Sequence, residues 1–174
     1  MKTRTLLYYN RFFILCFFGF IGFHSFSQGD TRHALFDVIS KLREDVNHQF
    51  LKTLKPSPSD CNVIFLNDTY AQRGCDYANE KWAGIESVPD DSMKPKHKTD
   101  KVKVLAATKQ ELAASKTNGL PEAYNILAKY IKDDVVVYGL MYLNDDGSEQ
   151  KTRAAFFYVN DKWIIIPRTF KAFE

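Results

Sequence analysis

The chain has 174 residues, 45% hydrophobic and 14% aromatic, with 24 Lys+Arg against 21 Asp+Glu. That composition fits one globular domain and excludes collagen-like, disordered and polytopic membrane classes. The formal charge of +3 comes from Lys2, Arg4 and Arg11, within a first stretch of 27 residues that contains no Asp or Glu. The remainder is neutral, so net charge gives a nucleic-acid partner no support.

That first stretch reads as a targeting signal. Three positive charges precede the apolar run 12–23, and Ser25-Phe26-Ser27 supplies small residues before a cleavage point between Ser27 and Gln28. Twelve apolar residues span roughly 18 Å as a helix, too short for a bilayer core of about 30 Å. Cys16 follows Phe13, Ile14 and Leu15 inside the run, where a lipid-acceptor cysteine would need small neighbours. The expectation is a signal peptide over 1–27 and an exported domain over 28–174, periplasmic or extracellular, with no membrane span after cleavage. Two cysteines remain, Cys61 and Cys75. An oxidising compartment makes them a candidate bridge, worth roughly 3 kcal/mol by the chain-entropy account; the alternative is two buried thiols.

Along the domain, Leu35, Val38, Ile39, Leu42, Val46, Phe50 and Leu54 recur at three- and four-residue steps. The spacing predicts one amphipathic helix over 31–54, capped by Asp30 or Thr31 and stopped by Pro56 and Pro58. Ser59 opens a second helix over 60–73 with Gly74 at its C-terminal cap. Cys61 and Cys75 would then lie about 21 Å apart on one continuous helix, so a bridge needs the chain to turn near Gly74. A further short helix over 77–83 holds Trp82. Residues 84–100 read as an exposed loop of mixed charge, and Asn67-Asp68-Thr69 matches a glycosylation sequon.

Residues 101–107 form a strand, and Thr108 with Glu111 makes a capping box for a short helix. Pro121 begins another helix over 122–131. A β-meander closes the chain: 135–143, a turn at Asp145-Asp146-Gly147, 149–159, a turn at Asn160-Asp161, and 163–167. The class is α+β, with N-terminal helices packed on a C-terminal antiparallel meander in a single domain. Turn lengths suggest a register in which Tyr138 faces Ala154, Gly139 faces Arg153, Tyr158 faces Trp163 and Arg153 faces Arg168. One sheet face then gathers Tyr138, Phe156, Tyr158 and Trp163 as an aromatic face; both faces are apolar at one end, so helices can cover one and the other implies a loop, a ligand or a second subunit. Arg153 and Arg168 fall at the polar end of the other face. Like charges opposite one another are unfavourable. The two therefore require a counter-ion, either a structural carboxylate such as Glu122, Asp133 or Glu174, or an anionic small molecule or protein partner.

A long first helix, further helices and a closing Phe156-Phe157-Tyr158-Val159-Asn160-Asp161-Lys162-Trp163-Ile164 hairpin together resemble the cystatin-like NTF2/SnoaL superfamily. The resemblance implies a cone-shaped pocket and a possible homodimer, and it covers enzymes and non-catalytic binding domains alike. It carries over no catalytic residue.

Motifs for nucleophilic, zinc-hydrolase, redox or phosphate-loop chemistry are missing, so no catalytic, cofactor-binding or metal-ligating residues are assigned. His33/Asp37 and Glu44/His48 stand at i,i+4 on the side of the first helix away from its apolar stripe, where surface ion pairs are expected. The reading that follows is an exported, non-catalytic binding or interaction domain. A small pocket enzyme of hydrolase, isomerase or lyase type and an envelope-associated dimer subunit stand as alternatives.

Overall fold

The computed structural model describes residues 28–97 and 101–174; the expected signal segment, including Ser27, lies outside them, and Gln28 is the first described residue. Among the described residues no helix is long and apolar enough to cross a membrane. The order is α1 (Gln28–Glu44), α2 (Pro58–Ile64), α3 (Asp68–Ala83), β1 (Lys101–Thr108), α4 (Lys109–Ala113), β2 (Val136–Leu143), β3 (Glu149–Val159) and β4 (Lys162–Ile165). Four antiparallel strands lie in sequence order, β1-β2-β3-β4, so the α+β class and the closing meander are as the sequence implies.

The first helix is shorter than its periodicity suggests. It ends at Glu44, and the Asp45 carboxylate accepts hydrogen bonds from the backbone N–H groups of Phe50 (2.7 Å) and Leu51 (2.8 Å). This local side-chain bonding competes with the helical ladder, and Asn47 and His48 adopt φ of 55° and 56°. Val46 is consequently exposed, and His48 is buried rather than on a solvent-facing stripe. Leu35, Val38, Ile39 and Leu42 still form a buried stripe.

The second helical region is also corrected. The capping residue is Ser57, in a reciprocal box with Asp60, and the helix breaks at Phe65. Asn67 caps α3, which runs through Gly74 without interruption. Gly74 is a packing position: a Cβ there would meet the Phe65 ring at 2.2 Å. The reversal that brings the cysteines together therefore lies at residues 65–67. Cys61 on α2 and Cys75 on α3 stand at disulfide distance, with Cα atoms 5.8 Å apart.

The sheet is covered on both faces. Gly139 abuts Leu120 and Leu105 abuts Gly119, which places residues 119–120 on one side, and the Phe65–Ile131 bridge ties the end of the 109–131 segment to the α2–α3 connection. On the other, Arg43 at the end of α1 acts electrostatically on the Tyr142 hydroxyl. The proposed aromatic surface lies on this second face, and it is core. Tyr138, Phe156 and Trp163 are buried, with the Tyr138 and Trp163 rings meeting edge-on at 5.1 Å; Tyr158 is half-buried and touches Trp163 at 5.3 Å.

Candidate functional site: a cationic cavity where the sheet loses a strand

The β3–β4 hairpin closes as its turn chemistry dictates. Asn160 and Asp161 both adopt positive φ, 50° and 57°, as a two-residue type I′ turn requires, and Tyr158 pairs with Trp163 and Phe156 with Ile165. The turn is anchored from outside the sheet. Asp60, fully buried, accepts hydrogen bonds from Asn160 Nδ2 (2.8 Å) and Ser57 N (2.8 Å) and pairs with Lys162 Nζ at 2.8 Å. Burial opposes its ionisation, but the bonds from Lys162, Ser57 and Asn160 prevail and hold its pKa at about 2.

At the other end of the hairpin the pairing stops early. Ile166 N–H still donates to Ala155 O (3.2 Å), but Pro167 has no N–H to give and Arg168 turns the chain aside at φ 53°, ψ 44°. The Arg153–Arg168 strand pair suggested by turn length is therefore not formed. The β2–β3 register also slips, at Tyr138/Gly139 and at Tyr142/Leu143. As a result Arg153 stands opposite Leu140, on the face of Tyr138 and Phe156, instead of opposite Gly139. One bulge moves a side chain to the other face.

Both arginines nonetheless reach one place. Where β4 would have continued beside residues 152–154 there is a cavity of about 730 Å³. Its walls come from α3 (Tyr77, Lys81, Trp82), from β3, from the turn 167–171, from Tyr124, and from residues 85–93. Trp82 donates its indole N–H to Ile165 O at 3.0 Å, which closes the end of the short edge strand. The segment 84–97 is an ordered strap. His48 Nε2 donates to Val88 O (2.7 Å), Lys52 pairs with Glu86 (2.6 Å), and Lys94 Nζ donates to Asp45 O. From the sheet, Tyr142 OH donates to Met93 O (2.8 Å) and Arg153 Nε to Ser92 O (2.6 Å).

Among the described residues four cations line this cavity, Lys81, Arg153, Arg168 and Lys171, and no carboxylate does. Lys81 is paired with Glu80 outside the cavity at 2.6 Å, and Arg153 is engaged with the strap. Arg168 and Lys171 have no acidic partner among the described residues. Neither Glu122, Asp133 nor Glu174 supplies one: Asp133 pairs with Lys109 at 2.6 Å, and Glu174 offers its backbone carbonyl to Arg73. Burial lowers the Arg153 pKa, with Arg168 adding to that, although Tyr142 and Asp91 oppose them. Arg168 also acts on the hydroxyls of Tyr77 and Tyr124, both of which burial raises.

Sequence reasoning found the two arginines, through a strand pairing that does not exist. It missed Lys81, Lys171, Trp82 and Asp60. Of these only Asp60 had a local signal, its spacing of three from Ser57; the others are joined by tertiary contacts alone. Comparison of the chain with protein-family models, curated proteins and solved structures finds no match.

Proposed function

We propose that this chain is an exported, non-catalytic binding domain that holds a small anionic molecule in the cavity beside β3. The observation that carries the reading is the lining: four cations and no carboxylate among the described residues, and a volume within the usual range for small-ligand pockets. Two guanidiniums and two ammonium groups around one space repel each other and gain from an anion. Acid–base chemistry has weak support there, because no Asp, Glu or His among the described residues lines the cavity and burial raises both tyrosines. Export is supported by the apolar N-terminal run, and an oxidised Cys61–Cys75 bridge by the disulfide distance between them. A relationship to the cystatin-like NTF2/SnoaL superfamily belongs to the same proposal, supported by a long first helix and a closing antiparallel meander.

The test is thermal unfolding in inorganic phosphate, a minimal anion probe, at matched ionic strength. At ten times its Kd a ligand stabilises by about 1.4 kcal/mol, or roughly 3 °C for a domain of this size. The wild type should show such a rise and Arg168→Ala should not. An equal rise in both proteins, or none in the wild type at any concentration, contradicts the reading.

A further inference from the structure

We propose that the ligand is an amphipathic organic acid: a carboxylate held at Arg168 and Lys171, with an aromatic or branched aliphatic body laid against Trp82, Met93 and Phe170. This deepens the binding reading above and rests on it. The cavity has two unlike ends. Arg168 and Lys171 are exposed and unpaired among the described residues, so a head group that meets them stays partly in water and is not charged the full cost of desolvation. The inner wall is apolar and partly aromatic. Trp82 is 5% exposed, Ile165 is buried, and Phe170 packs edge-on against Tyr124 at 5.0 Å. A bare inorganic anion would satisfy the first end and waste the second. A polyanion would force charge against the second.

A further observation concerns Arg168 itself. Its left-handed backbone is one that Gly or Asn adopts at lower cost, and it sets the side chain at the cavity mouth beside Tyr77 and Lys81. Strain retained at an arginine points to a use for the guanidinium at that place.

The experiment is calorimetric titration of the whole mature domain with 3-phenylpropionate, its neutral carboxamide, acetate and inorganic phosphate. The wild type should bind 3-phenylpropionate at least tenfold more tightly than acetate or phosphate, since each buried methylene contributes about three- to fourfold. The carboxamide should bind at least tenfold more weakly than the acid. Arg168→Ala should bring acid and amide to within about threefold of each other; Lys171→Ala, at an exposed site, should narrow the gap less and guards against a folding defect in the first variant. If phosphate binds as tightly as 3-phenylpropionate and loses its affinity in Arg168→Ala, the anion-binding reading stands and the amphipathic inference falls. If the amide binds as tightly as the acid, the carboxylate assignment is overturned. If none of the four binds, both readings fall together.

Discussion

The two halves of β3 have opposite fates. Its second half, 156–159, is paired with β4 at every residue and with β2 at Phe156, and its side chains are buried except for Tyr158, which is half-buried. The hairpin there is closed by a type I′ turn pinned to a buried carboxylate. Its first half, 149–154, has β2 on one side and no continuing β4 on the other, and every residue in it is at least partly exposed. The change occurs where Pro167 and Arg168 end the partner strand. One half serves as a clamp; the other becomes a wall of a cavity, because a sheet edge left open beside cations and aromatic rings is a surface that stability does not use up.

The contrast should be broken most severely in the closed half. Phe157→Ala, at a site with no exposure, should cost about 3–5 kcal/mol in denaturant unfolding. Thr152→Ala, in the open half, should stay within about 0.5 kcal/mol. A comparable loss at both sites would mean that the two halves are equally structural.

The clamp should show in acid. The Asp60 carboxyl is held below its ordinary value, at about 2 against 3.8, so its contribution is complete above about pH 4 and is lost as the pH falls towards 2. That loss should amount to about 2 kcal/mol in the wild type. Asp60→Asn should be less stable at pH 7 and should lack this part of the acid dependence in a pH series of unfolding curves.

Smaller effects sharpen the comparison. Gly74→Ala should destabilise by about 1–2 kcal/mol, because crowding against the buried Phe65 ring exceeds the gain of roughly 1 kcal/mol in helix propensity. Stabilisation on thermal unfolding would show that the ring yields. Arg168→Gly should raise stability by up to about 1 kcal/mol while weakening the response to anions, because the left-handed backbone suits Gly.

The legible parts of the sequence were those governed by short-range chemistry. Asn160-Asp161 closes the hairpin, Thr108 and Glu111 form their reciprocal cap, and β3 keeps the bounds 149–159 read from its alternation and flanking turns. What escaped depends on contacts distant in sequence or on single-residue irregularities. The periodicity of the first helix ran through Val46 because nothing local shows that the Asp45 carboxylate will capture two N–H groups beyond it. Gly74 resembled a helix stop and is a seat for Phe65. The register slip at Tyr142/Leu143 reassigned Arg153 to the other face. The cavity draws on α3, the strap and the last turn together, and no spacing rule links Lys81 to Lys171. Pro167 was the available clue, since a proline at the end of a strand ends its pairing.

The most direct test of the division within β3 is residue-by-residue mapping of 3-phenylpropionate on residues 28–174 by amide and indole resonance shifts. Saturable shifts should gather at residues 152–154 and 168–171 and at the Trp82 indole, leaving Asn160, Asp161 and Lys162 unmoved. Saturable shifts centred on the Asn160-Asp161 turn, or none anywhere at millimolar ligand, would contradict the assignment of the open half as the binding site.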